Sequence, residues 1–250
     1  MIEIEGLVKR FGARAAVAGL DLKVEPGEIF GFLGPNGAGK TTTVKLITGL
    51  LKPTAGRIRV AGFDVATETL QAKRAMGLVP DEPFVYPKLT GAEYLRFVGE
   101  LYGVALPEMR KRIPELLEMF ELSSWGGELV ESFSHGMRQK LVLAGILLHD
   151  PKVLVLDEPM VGLDPKSARL AKDIFLKLAE RGTTIFMCTH ILEIAEKLCD
   201  RIGIMIEGRM IACGTLSELQ ARAEKSDSGL EDVFLSLTGG AEYSALLRNL

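Results

Sequence analysis

Gly34-Pro35-Asn36-Gly37-Ala38-Gly39-Lys40-Thr41 constrains this chain more than any other stretch. It fits the pattern G-x-x-x-x-G-K-[ST] and lies between an apolar run, Ile29 to Leu33, and a helical stretch, Thr41 to Leu51. The glycines let the backbone curl until successive N–H groups converge, and the helix that follows adds the positive end of its dipole. The product is a cradle for phosphate groups. In such a loop Lys40 reaches the β- and γ-phosphates of a nucleotide, and the Thr41 hydroxyl is a ligand for Mg2+. Gly34, Pro35, Asn36, Gly37, Ala38, Gly39, Lys40, Thr41 and the following Thr42 are therefore candidate nucleotide contacts.

The loop demands a strand before it and a helix after it, and the rest of the chain repeats that alternation. Apolar runs at Ile29–Leu33, Gly77–Val79, Val153–Leu156, Thr184–Cys188 and Ile202–Ile206 suit strands buried on both faces of a parallel sheet. Between them lie helical stretches at Met137–His149, Ser167–Arg181 and Ile191–Leu198. Strand, helix, strand in alternation means an α/β fold with right-handed crossovers. Two regions depart from it. Residues 1–28 and about 56–64 read as short strands with turns at Phe11-Gly12, Pro26-Gly27 and Ala61-Gly62, which predicts a small antiparallel sheet. Residues from about 84 to 144 read as mostly helical, through Ala92–Tyr102, Pro107–Phe120 and a helix after Ser134, and form an inserted lobe. Beyond Thr215 a helical pattern, Leu216–Ala223, is followed by a polar break at Ser226-Asp227-Ser228-Gly229.

Composition narrows the function classes. A formal net charge of -3 provides no basic surplus for nucleic acid, which is not an expected partner. Cys188, Cys199 and Cys213 form no C-x-x-C pair, so neither a disulfide framework nor a zinc site is expected. A spanning helix needs roughly 18 consecutive apolar residues, and the best uninterrupted run, Leu141–Leu148, is far shorter. The N-terminal Met1-Ile2-Glu3-Ile4-Glu5 alternates apolar and acidic residues like a first strand rather than a signal peptide. A cytoplasmic location is expected.

Val153-Leu154-Val155-Leu156-Asp157-Glu158 is an apolar strand that ends in two carboxylates. In phosphoryl transfer an Asp at such a strand end holds Mg2+, and the adjacent Glu158 orients and deprotonates the attacking water. Shortly upstream stands Phe133-Ser134-His135-Gly136-Met137-Arg138-Gln139-Lys140. In that position the chain resembles the ABC (ATP-binding cassette) ATPase family, whose signature is commonly L-S-G-G-Q. The resemblance runs from about Ile2 to Thr215. It takes in Phe11, the loop at Gly34–Thr41, a loop beginning at Pro80, Asp157-Glu158, Gly162-Leu163-Asp164 and His190, in that order. The branch it looks like most is the bacterial multidrug and sodium efflux group, whose ATPase is a separate polypeptide.

The resemblance implies a P-loop NTPase (RecA-like) core with a parallel sheet, an antiparallel β lobe and an inserted helical lobe. It implies one ATPase domain over 1–222, with the core at about 1–82 and 145–222, the helical subdomain at about 83–144, and a short extension at 223–250. It implies Mg-dependent ATP hydrolysis that powers substrate movement, in the export direction, through a separate transmembrane permease subunit. The alternative is a soluble cassette acting as a mechanochemical or scaffold protein. The ATPase would lie on the inner face of the membrane and pair with a second nucleotide-binding subunit.

Residue by residue, Phe11 would stack on adenine; its own chemistry also suits a core or turn aromatic. Ser134 and Gly136 would grip the γ-phosphate of ATP held by the opposite subunit, and Asp164 would cross the dimer interface. His190 would hydrogen-bond the γ-phosphate and position the water with Glu158. Asp81 stands where the family usually carries Gln, as a further Mg2+ contact beside Asp157 and Thr41. His135 stands where the first signature glycine is usual. Phe84, Val85, Tyr86 and Leu89 either form part of a groove for the membrane partner or pack the lobe's own core.

Overall fold

A computed structural model describes residues 1–225 and 228–239; the Ser226-Asp227 part of the expected break and residues 240–250 of the expected extension lie outside the described residues. Two sheets share the core. Strands β1 (Ile2–Phe11), β2 (Arg14–Val24), β4 (Ala55–Val60) and β5 (Phe63–Asp64) make an antiparallel sheet in the order β2-β1-β4-β5. This is the expected small sheet, though β1 and β2 are long. Alternation along them buries Ile2, Ile4 and Leu7 on one strand and Leu20, Leu22 and Val24 on the other.

The second sheet has six strands in the order β10-β9-β3-β8-β7-β6. They are β3 (Ile29–Leu33), β6 (Met76–Val79), β7 (Val153–Asp157), β8 (Thr184–Cys188), β9 (Arg201–Ile206) and β10 (Arg209–Gly214). All pairings are parallel except β10 with β9. Every residue of β3, β7 and β8 is buried, which is why these segments read as continuous apolar runs. Phe186 lies 5.8 Å from Phe30 and 5.2 Å from Phe32, ring centroid to centroid, and the three rings pin β3 to β8. The turn after β9 reaches the antiparallel sheet through the Ala18 N–H, which donates to the Gly208 carbonyl at 2.8 Å.

Helix α1 (Lys40–Ile47) leaves β3, and α2 (Thr69–Arg74) follows β5. The expected helix to Leu51 stops early. Thr48 caps α1, Gly49 takes φ +66°, and the N–H groups of Leu50 and Leu51 both turn back to the Lys45 carbonyl. The inserted lobe consists of α3 (Gly91–Tyr102), α4 (Leu106–Met119) and α5 (His135–Leu148) around buried Leu95, Met109, Leu117 and Leu141. Thr90 opens α3 with a capping box to Glu93. Return crossovers use α6 (Pro165–Glu180) and α7 (Leu192–Leu198). Helices α8 (Leu216–Arg222) and α9 (Leu230–Leu237) close a third cluster in which Leu219, Leu230 and Val233 bury themselves against Ile202 and Ile204.

The sequence pattern offered no strand for the edge at Arg209–Gly214 and no helix at Thr69–Arg74 or Leu230–Leu237. No helix among the described residues is long and apolar enough to cross a membrane. All three cysteines are free thiols.

Candidate functional site

In a parallel sheet, ligands collect where loops leave the carboxyl ends of the strands. Here β3, β8 and β7 are neighbours, so the loop at Gly34, the His190 loop and the Asp157-Glu158 pair leave the sheet side by side. Register makes this concrete: Phe32 pairs with Cys188, and Cys188 pairs with Asp157. The structure thus brings together Lys40, Thr41, Asp157, Glu158 and His190 from three distant stretches of sequence.

The loop itself is held from behind. Gly39 sits at φ +113°, where a Cβ would lie 2.3 Å from the Ala16 carbonyl oxygen, so glycine is required. The Ala38 carbonyl accepts from the Gly208 N–H at 2.9 Å. Lys40 is buried, and its Nζ donates to the carbonyls of Gly34 at 2.6 Å and Pro35 at 3.1 Å. It is fixed across the mouth of its own loop. A cleft of 370 Å³ opens there, lined by Phe11, Arg14 and Ala16 on one side and by Asn36, Gly37 and Gly39–Thr42 on the other. Phe11 is 52% exposed, so it is not a core aromatic; it lines the cleft, with the Lys9 ammonium 5.2 Å from its centroid. A larger cavity of 590 Å³ beside β1, β2 and β10 sets Glu3, Glu5, Asp21 and Glu25 against Lys23 and Arg201, a lining of net negative charge.

Burial pushes the Asp157 carboxyl up to about 6, with the charges of Asp81 and Glu158 adding to the rise and the Thr41 hydroxyl and Lys40 opposing it. Such a crowded set of oxygens suits a hard divalent cation, whose charge would relieve the repulsion. Among the described residues no group of three or more His, Cys, Asp or Glu side chains could hold a metal alone. A site of one or two carboxylates completed by a hydroxyl and phosphate oxygens is the pattern Mg2+ usually takes.

Glu158 occupies a left-handed backbone, φ +50°, uncommon for a residue with a side chain. Its carboxylate is aimed by three groups. Oε1 lies 2.8 Å from His190 Nδ1, while Oε2 accepts from the Thr189 hydroxyl at 3.0 Å and from the His190 N–H at 3.3 Å. An acid held by an imidazole at a phosphate cradle can orient and deprotonate water. Thr189 was not singled out in the sequence, although it immediately precedes His190.

Ser134 caps α5, accepting from the Met137 N–H at 3.3 Å, and both Ser134 and His135 are exposed. The first turn of α5 packs on the loop after β7. A Cβ at Gly136 would lie 2.8 Å from the Gly162 carbonyl oxygen, and one at Gly162 would meet the His135 ring at 2.3 Å. Beneath them Gln139, fully buried, donates from Nε2 to the Pro159 carbonyl at 3.4 Å, a link between α5 and the Glu158 loop that sequence reading missed. Asp164 caps α6: Oδ1 accepts from the N–H groups of Lys166 and Ser167, each at 3.0 Å, and Oδ2 accepts from the Ser167 hydroxyl. The Ser167 hydroxyl and N–H hold this carboxyl down to about 2. Within one chain, then, Asp164 serves its own helix. Neither Ser134 nor Gly136 is among the residues lining the cleft at Lys40.

A sequence model of the family described as "ABC transporter" matches residues 17–161. The chain is 39% identical over 241 residues to a linearmycin resistance ATP-binding protein of Bacillus subtilis (strain 168), covering 94% of this chain and 78% of that one. It is 41% identical over 220 residues to a Nod factor export ATP-binding protein I of Paraburkholderia xenovorans, covering 88% of this chain and 72% of that one. Among solved structures it is similar, with a TM-score of 0.78 and 26% identity over 86% of this chain and 99% of the other, to a dimeric post-hydrolysis state of the ATP-binding cassette MJ0796 bound to ADP and Pi.

Proposed function

The chain belongs to the ABC transporter family, and we propose on that premise that it is the ATP-binding and hydrolysing subunit that drives export through a separate transmembrane partner. The observation that carries the reading is the meeting of Lys40, Asp157, Glu158 and His190 at the ends of three adjacent strands. Phosphate groups of ATP rest in the loop at Gly34–Thr42 and the adenine on Phe11. Hydrolysis of a nucleotide in such a cradle uses a divalent cation. We assign Mg2+ to Thr41 and Asp157, with Asp81 as an outer contact; when bound, it neutralises charge developing on the transferring phosphoryl group. Lys40 binds the same group. Glu158 accepts the proton of the attacking water, and His190 orients Glu158 and then the γ-phosphate. If Asp81→Gln left the Mg2+ dependence of turnover untouched, Asp81 would lose its part.

Half of the reaction surface lies off the cleft. Exposed Ser134 and half-buried Gly136 at the opening of α5 complete the site of a second nucleotide-binding subunit, copy or paralogue, and the loop that ends at Asp164 faces across the same junction. This organisation is supported by the dimeric, product-bound neighbour. The helical lobe meets the membrane partner. Phe84 is 81% exposed and Tyr86, edge-on to Phe97 at 5.1 Å, is half exposed, whereas Val85 and Leu89 pack inward, so the two readings of that stretch divide between alternate residues. The chain then sits peripherally on the inner face of the membrane. Isolation from its native cells in mild detergent should bring down a multi-spanning membrane protein, and Tyr86→Asp should lose that companion while still releasing phosphate from ATP. Recovery of soluble partners alone would remove transport from the proposal and leave the ATPase.

A further inference from the structure

We propose that Arg14 is a nucleotide-binding residue that grips the segment of the ligand between the base and the β-phosphate, the part ATP and ADP share. The inference rests on the nucleotide site proposed above. Arg14 begins β2 and is the direct cross-strand partner of Phe11 at the end of β1. Directly opposed residues of an antiparallel pair project from the same face with their Cβ atoms about 5 Å apart. The guanidinium therefore enters the cleft beside the aromatic platform, and both side chains line it. From there it reaches the other wall. Arg14 Nη2 donates to the Gly37 carbonyl at 3.4 Å, a long contact, and the residue is exposed rather than packed. It bridges the gap between the ring that would hold adenine and the loop that would hold the phosphates.

Charge explains why a cation belongs there. Lys40 is drawn toward the start of the loop by its bonds to Gly34 and Pro35, and Lys9, over the Phe11 ring, is bonded to the Lys52 carbonyl at 2.8 Å and does not line the cleft. A nucleotide's inner phosphate would otherwise meet neutral side chains on the β2 wall, where Ala16 follows Arg14. A guanidinium presents a planar fork of donors matched to phosphate oxygens, and exchanging a long bond to a carbonyl for charge-assisted bonds to phosphate is favourable.

The test is a set of dissociation constants for ATP and for ADP, by titration calorimetry, on the wild type, Arg14→Ala, Arg14→Gln and Arg14→Lys. Alanine and glutamine should weaken both nucleotides alike by about tenfold or more, with lysine recovering most of the loss. The KM for ATP should rise in step while kcat changes far less. Unchanged affinities in Arg14→Ala would overturn the proposal, as would a loss confined to ATP, which would move the contact to the γ-phosphate. Full rescue by glutamine would also overturn it, because that side chain can brace the Gly37 carbonyl without a charge. A wild type that binds neither nucleotide would instead sink the underlying site.

Discussion

The carboxyl ends of β3, β7 and β8 and the first turn of α5 carry similar equipment, bends of backbone with one or two polar side chains, but they are held in opposite ways. At the strand ends each group has its partners within the chain: Lys40 on two carbonyls, Glu158 on Thr189 and His190, Asp157 buried beside Thr41. At α5 Ser134 and His135 are exposed, and the contacts with the neighbouring loop are Gly136 and the His135 ring against Gly162. The first region is a finished half-site. The second is the surface we propose meets another molecule, and it is placed by packing on the loop that follows Glu158.

That difference predicts different kinetic signatures. The largest effect should come from Glu158→Gln. The amide retains acceptor capacity for the Thr189 hydroxyl and the His190 N–H but no longer takes a proton from water, so ATP turnover should fall by about 10² to 10⁴ while ATP affinity stays within a few-fold. Phosphate release and nucleotide titration measure the two. Turnover near wild type would move the base elsewhere and leave the finished half-site without its reactive group.

Gly136→Ala comes next. Its Cβ has only 2.8 Å to a backbone oxygen, so the α5 turn or the Gly162 loop must move, and displacement of about 1 Å at a reacting contact is worth about 100-fold. Binding of ATP by the single chain should survive, because position 136 does not line the cleft. Equal loss of binding and turnover would erase the distinction between the two regions.

What the sequence disclosed follows the same division. Continuous apolar runs exposed β3, β7 and β8 because burial on both faces permits nothing else, and the groups at their ends could be read from the run's last residues. Edge elements left weaker traces. In β10 the residues from Arg209 to Gly214 mix exposed, half-buried and buried positions, and α9 buries only Leu230 and Val233. Arg14 was invisible because a lone arginine in a hairpin has no pattern; the tight turn that pairs it with Phe11 was its one signal. Asp164 shows the converse. Its place in the motif order pointed across an interface, whereas Asp-Pro-Lys-Ser is also an N-cap, and within the chain the cap is what its oxygens make.

The smallest effect separates the lobes by stability rather than by rate. His149 ends α5, its ring stacked on Tyr102 at 3.7 Å between centroids, with Nδ1 buried and without a partner. Burial lowers its pKa from 6.5 to about 4. The folded state therefore resists the proton that the unfolded chain accepts below 6.5, so stability is full above that pH and falls as the pH drops from 6.5 towards 4. At pH 5.5 the loss is about 1 kcal/mol. Urea midpoints of the wild type and His149→Phe at pH 7.5 and pH 5.5 isolate it, since the other titrating groups are common to both and phenylalanine preserves the stack. The wild type should lose about 1 kcal/mol more than the variant over that interval. Turnover of ATP at pH 7.5 should differ little between the wild type and His149→Phe, because the strand ends draw their support from the parallel sheet and not from the Tyr102 stack. A midpoint difference that did not change with pH would mean that the imidazole reaches water and that the α3–α5 seam is looser than its packing implies.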